Sequence, residues 1–257
     1  MIEIRPILPE EAEEFLILMC DVFELDYQRA ITVFFSEPYF DLSRKWALFE
    51  SGAIQSILTT TPLQFGTGRA CGLAGVATRP ESRGEGYSSR LIREVLERSK
   101  EAGEGMCVLF ARDERLYANN GFERLDVVVR GEIVPSECQA VEEPLDLDQV
   151  RQVYDAWANG SPQRLRRDDQ RWRFWQWSMR TCEPFGSGYI CLEVAQVREA
   201  ICGTGMQKWP VGPATDWVGL RSLTQELEVP VVNERAELSM MGHGVSGQLH
   251  MFMTDQF

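Results

Sequence analysis

The spacing of apolar and polar residues changes several times along the chain, and each change predicts an element. Ile2-Glu3-Ile4-Arg5-Pro6-Ile7 alternates as an edge strand does. Pro9 and the acidic residues Glu10, Glu11, Glu13 and Glu14 mark a helix start, and Leu16, Met19, Cys20 and Phe23 continue it. A second helical stretch over residues 27–35 stops at Ser36-Glu37-Pro38. Residues 45–49 and 54–60 read as strands around the turn Glu50-Ser51-Gly52, and 62–65 extend the meander. Residues 71–78 form an apolar run that Gly72 and Gly75 weaken, as at a bulge. After Arg79-Pro80 comes a glycine-bearing loop. In residues 88–102, Leu91, Ile92, Val95, Leu96 and Ser99 then share one helical face, with Gly103 as the stop. Residues 106–110 are the next strand, 114–118 a short helix and 123–129 a further strand.

Beyond residue 132 the pattern starts again. A polar, proline-containing connector at 132–143 separates a unit at 1–133 from one at 144–257, each long enough for its own core. Val150, Val153, Tyr154 and Trp157 recur at helical spacing. The segment 164–177 interleaves arginine with tryptophan. It could stack on nucleic acid, but Trp172, Trp175 and Met179 share a helical face, so a packed amphipathic helix is the preferred reading. A hairpin at 189–194 and 200–209, a loop at 210–215, a helix carrying Trp217, Leu220, Leu223 and Leu227, and strands at 229–232 and 248–253 then repeat the order of the first unit. The expected fold is α/β, a mixed sheet of α+β type, with the second unit a degenerate copy of the first.

A formal net charge of −13 argues against general nucleic-acid or anionic-membrane partners and suits a cationic acceptor. Seven cysteines without a Cys-x-x-Cys pair, and only His243 and His250, predict reduced core thiols and no metal site. The first residues are no signal peptide and no apolar run spans a bilayer, so a cytoplasmic protein is expected.

The chemistry concentrates between residues 76 and 89. The first N–H groups of a helix lack intrahelical partners and carry partial positive charge. Gly84 and Gly86 let the backbone approach an anion, and Arg79, Arg83, Arg90 and Arg93 add charge. A Rossmann site would need a third glycine where Ser89 stands, and a Walker loop would need Gly-Lys-Ser/Thr. The stretch from Val76 to Tyr87 instead resembles motif A of the GNAT superfamily of acetyl-CoA-dependent N-acetyltransferases, Gln/Arg-x-x-Gly-x-Gly/Ala, with Glu81 at the Gln/Arg position. Leu116-Tyr117-Ala118-Asn119-Asn120-Gly121-Phe122 resembles the family's Tyr-x-x-x-Gly-Phe element.

This resemblance implies a GNAT fold over residues 1–133. The strands equivalent to 71–78 and 106–110 splay around the pantetheine arm of acetyl-CoA. Val76, Ala77, Thr78, Arg83, Gly84, Glu85, Gly86, Tyr87, Ser88 and Ser89 border the cofactor. It implies acetyl transfer to a primary amine by direct attack. Backbone N–H groups near Ala77 and Thr78 stabilise the oxyanion, Tyr117 is the general acid, and Glu24, Asp26, Glu37 and Asp41 are candidate bases near the acceptor cleft. A small-molecule amine is the expected partner, and a homo-oligomer stays open. The rival is a GNAT-fold module that holds acetyl-CoA or a protein without transferring anything.

In the second unit Pro210 and Pro213 replace the glycines, and setting Gly242 against Gly121 puts Leu238 opposite Tyr117, so one cofactor site is expected. The tandem layout resembles the enhanced-intracellular-survival type of aminoglycoside acetyltransferase. Members of that type carry a third, sterol-carrier-like domain, for which 257 residues leave no room. Its C-terminal carboxylate reaches the active site there, and the Phe257 carboxylate is a disfavoured substitute.

Overall fold

A computed structural model describes residues 1–134, 145–177, 181–202, 209 and 214–257. The chain runs β1 (Ile2–Pro6), α1 (Ala12–Phe23), α2 (Tyr27–Ser36), β2 (Lys45–Glu50), β3 (Ala53–Phe65), β4 (Gly68–Thr78), α3 (Tyr87–Glu101), β5 (Met106–Ala111), α4 (Arg115–Ala118) and β6 (Glu123–Ile133). It continues α5 (Leu147–Asn159), β7 (Leu165–Arg166), α6 (Asp169–Trp177), β8 (Thr181–Phe185), β9 (Gly188–Glu193), β10 (Gln196–Ile201), β11 (Asp216–Leu220), α7 (Arg221–Glu226) and β12 (Val231–His243).

The strands form one mixed sheet in the order β1-β2-β3-β4-β5-β12-β6-β11-β10-β9-β8, with β7 paired to the end of β3. Alternation along the first strands explains its two covered faces. Ala47 and Phe49 of β2 and Ile57 of β3 join the core beneath α1 and α2. Their neighbours Leu48 and Leu58 join Leu91, Ile92 and Val95 of α3 in a separate core, so the helices sit on opposite faces.

Two features position the site. The first is β4, which pairs in parallel with β5 only from Ala70↔Met106 to Gly72↔Val108, so the strands part beyond that point. On its other side β4 pairs with β3 at Ala77↔Ile57 and next at Ala74↔Thr59, leaving Gly75 and Val76 outside the ladder as a bulge. Gly75 has φ +60, a conformation that favours glycine. The second feature is β12, which comes from the second half yet lies between β5 and β6, pairing Ser239 with Ala111 and with Val127.

The second half departs from the sequence reading. Residues 216–220, expected on a helix with Leu223 and Leu227, are strand β11, and the helix is the short α7. The strand expected at 229–232 is the long β12. Residues 248–253 are not a strand; His250 makes an isolated bridge to Arg164, and Met253–Asp255 is a 3-10 turn. Gly242 lies inside β12, paired with Val108 and Glu123, so its alignment with Gly121 fails and Leu238 is no counterpart of Tyr117. β8 was not foreseen. The reading of 164–177 as a packed amphipathic helix holds for Asp169–Trp177, with Trp172 and Trp175 buried along with Arg171, but Leu165–Arg166 is strand β7, paired with β3. Met179, Pro210, Pro213 and most of the expected connector lie outside the described residues.

Candidate active site

The parting of β4 from β5 opens a cavity of about 810 Å³ lined by Leu73 to Val76 of β4, by Phe110 to Asp113, and by Leu116 and Tyr117 of α4. Leu238 of β12 closes one wall. α4 is held in place from β12, because Glu114 accepts hydrogen bonds from Ser239 and from Arg124 at 2.6 Å. Tyr117 is half-buried and meets Phe122 edge-on at 6.0 Å between ring centroids. Burial pushes its phenol above the ordinary tyrosine range, which keeps it protonated.

At the end of β4 the chain turns through the short 3-10 turn Pro80–Ser82 into the loop before α3. Gly84 (φ +91) and Gly86 (φ +76) both take the left-handed region, and a Cβ on either would meet nothing within 4 Å. Gly86 caps α3 without a side-chain bond. The first helical bond there runs from Arg90 N–H to the Gly86 carbonyl at 3.1 Å, and the six N–H groups of residues 84–89 donate to none of the described residues. Such a row of unspent amides in an open, glycine-bearing turn at a helix N-terminus fits a diphosphate.

The side chains named from sequence have mixed fates here. Arg83, Gly84, Glu85 and Gly86 are exposed in the loop, and Ser88 is half-buried at the start of α3. Tyr87 turns inward and donates to Glu50 at 2.7 Å, so only its main chain faces the turn. Ser89 Oγ accepts from Asn120 Nδ2 at 3.1 Å, linking the loop to the residue after Tyr117's helix. Val76 lines the cavity, whereas Ala77 is buried towards α1, and the Ala77 carbonyl accepts from Ser56 Oγ at 2.9 Å. Thr78 Oγ1 shares a 2.9 Å bond with the same Ser56 hydroxyl. Arg79 is spent on Glu14 at 2.6 Å.

A second cavity, of about 560 Å³, lies against the first and shares Met19, Leu25, Ala74 and Gly75 with it. Three of the four candidate bases line it: Glu24, Asp26 and Glu37. Asp26 caps α2, accepting from Arg29 N–H at 2.8 Å, and Glu37 pairs with the buried Lys45 at 3.1 Å. The Glu24 side chain makes no hydrogen bond or ion pair with the described residues, and the residue sits at the C-cap of α1 with φ +55, where glycine is usual, its N–H donating to the Cys20 carbonyl. Asp41 is elsewhere, capping a 3-10 turn through Ser43 N–H at 2.8 Å.

Sequence reasoning missed what the second half brings to this cavity. Phe174 and Trp177 of α6 line it, 6.0 Å apart, with Phe174 5.7 Å from Tyr39. Their signal was an aromatic pair on the opposite side of α6 from Trp172 and Trp175. Phe257 also lines it, its ring 5.9 Å from that of Phe110 and tight against Gly72, where a Cβ would come within 2.8 Å. Residues 254–255 are anchored by a buried network: Arg167 bonds Asp255 at 2.7 Å and Glu199 at 2.6 Å, and Thr254 and Tyr189 donate to Glu199. Burial opposes the Glu199 charge, but Arg167 and these donors outweigh it and hold the carboxyl below its usual range.

Comparison with known proteins accords with this geometry. Residues 3–125 match the model of the acetyltransferase (GNAT) domain. That segment, just under half of the chain, is similar to a GNAT domain. No curated protein matches it, but solved structures do. A GCN5-related N-acetyltransferase from Kribbella flavida aligns over 94% of this chain and 70% of its own, with 16% identity and a TM-score of 0.72. Eis1 from Mycobacterium abscessus aligns over 93% and 73%, with 14% identity and a TM-score of 0.62. A putative acetyltransferase from Pyrococcus horikoshii aligns over 98% and 92%, with 12% identity and a TM-score of 0.68. At such identities these likenesses speak for the fold, which is therefore GNAT-like beyond the matched GNAT domain as well. Acetyl-CoA is the cosubstrate of GNAT domains. No helix among the described residues is long and apolar enough to cross a membrane.

Proposed function

We propose that this protein transfers acetyl from acetyl-CoA to a primary amine by direct attack, with Tyr117 as the general acid. The amides of residues 84–89 bind the diphosphate of the cosubstrate, and its thioester end lies along β4 in the wedge. The observation that carries this reading is the parting of β4 and β5 after Gly72 and Val108, which opens a cavity onto both the Gly75 bulge and Tyr117.

A neutral amine in the second cavity attacks the thioester carbonyl, forming the N–C bond. N–H groups of β4 beyond Gly72, which have no β5 partner, stabilise the oxyanion that develops. The C–S bond then breaks, and Tyr117 gives its proton to the departing thiolate. The proton lost from the amine nitrogen returns through solvent to the phenolate, so the products are the amide and a free thiol. Residues 1–133 hold the cosubstrate, and residues 144–257 complete the acceptor side through α6 and the C-terminal segment. A module that only binds acetyl-CoA has no use for a phenol in the wedge together with a second open cavity against it.

The test is Tyr117→Phe. Turnover falls by roughly 10²–10⁴-fold while acetyl-CoA affinity stays within a factor of about two; unchanged turnover removes Tyr117 from the role.

A further inference from the structure

We propose that the acceptor is a small, singly charged primary amine on an aromatic or aliphatic body, seated with its nitrogen at the Gly75 bulge and its body against Phe174 and Trp177. This deepens, and rests on, the amine-acetylating reading above.

The nitrogen must reach the thioester, and the second cavity meets the first at Ala74 and Gly75. Gly75 keeps that meeting point open, since its φ of +60 and its missing side chain leave only Met19 within 3.3 Å of the Cβ position.

Charge limits the acceptor to one cation. Asp26 is spent on the N-cap of α2 and Glu37 on Lys45, so Glu24 is the carboxylate left without a partner among the described residues lining the cavity. The cavity also holds Arg29, which repels a second ammonium group. A polyamine would bring more charge than this pocket can balance. An aminoglycoside would bring many hydroxyls to walls that are mostly apolar and aromatic, leaving them unbonded. A volume of about 560 Å³ holds a ring and a short side chain. Arg171 lies over the rings of both Tyr39 and Phe174, its guanidinium carbon 4.6 and 5.6 Å from their centroids, and Trp177 beside Phe174 carries no cation among the described residues.

The experiment follows thiol release and the acetylated product for the wild-type chain with acetyl-CoA and 2-phenylethylamine, spermidine, kanamycin or a lysine peptide. Acetyl-CoA binding is measured separately. The expected result is a kcat/KM for 2-phenylethylamine at least roughly tenfold above the others, the difference one unmatched polar contact makes. Glu24→Gln removes no side-chain bond present among the described residues, so it should leave stability and acetyl-CoA affinity unchanged and lower kcat/KM for 2-phenylethylamine about tenfold. Phe174→Ala should raise KM for 2-phenylethylamine. Preference for spermidine, kanamycin or the peptide overturns the proposed class and leaves amine acetylation standing. Acetyl-CoA binding with no turnover of any amine overturns both. A silent Glu24→Gln overturns the placement of the amine's charge in this cavity.

Discussion

Tyr117 donates a proton in this account, and its surroundings set the pH at which it can. The phenol is half-buried without a hydrogen-bond partner among the described residues, and desolvation disfavours its anion, so its pKa rises above the usual value. A general acid works while protonated, so kcat should show no descending limb below about pH 10, the ordinary range of a tyrosine. On the acid side the amine must be neutral to attack. With saturating acetyl-CoA, kcat/KM for the amine should therefore rise tenfold per pH unit until the pKa of the amine is reached. A pH–rate series on one amine checks both limbs, and a fall in kcat setting in near neutral pH would exclude Tyr117 as donor. Tyr117 was legible in the sequence because Gly121-Phe122 marks it. Phe174 and Trp177 were not, since their place at the cavity depends on how α6 packs against the first half.

At the scale of elements, the loop between β4 and α3 ties local sequence to function most closely. Gly84 and Gly86 hold positive φ in open space, so a larger side chain at either meets no steric clash and acts through backbone strain alone. Forcing an L-residue into that region costs about 1–2 kcal/mol. The double variant Gly84→Val/Gly86→Val should relieve that cost by turning the amides away, raising the acetyl-CoA dissociation constant by tenfold or more, where ~1.4 kcal/mol is a factor of ten. Titration calorimetry reads this directly; unchanged affinity would mean that the turn does not carry the cosubstrate. Helices of the first half were readable because one face of each is solvated, which leaves a clean period, and its strands because turn residues bound each short apolar run. β11 misled because Trp217 to Leu220 are buried throughout. A strand covered on both faces has no alternation, and its apolar spacing with Leu223 mimics a helix. β12 was cut short because the polar run Asn233 to Glu237 breaks its pattern, and there its register slips against β6 between Val232 and Arg235 and again between Ala236 and Leu238.

For the whole molecule, the two halves share one sheet and line one cavity. β12 crosses into the first half's strands, and the C-terminal segment is fixed by Arg167, Glu199 and Asp255 so that Phe257 rests on Gly72. Asp255→Ala leaves a fully buried guanidinium short of a partner, at a cost of about 3–5 kcal/mol. Urea unfolding should show that loss, and KM for the amine should rise as Phe257 leaves its seat; stability within ~1 kcal/mol of wild type would mean that the network does not hold the segment. All of this depends on the wedge accepting acetyl-CoA with its diphosphate on the turn before α3. Amide hydrogen exchange, resolved over residues 80–95 with and without saturating acetyl-CoA, tests that point most directly. The account predicts strong slowing of exchange at residues 84–89 on binding; bound acetyl-CoA with those amides exchanging as fast as before would contradict it.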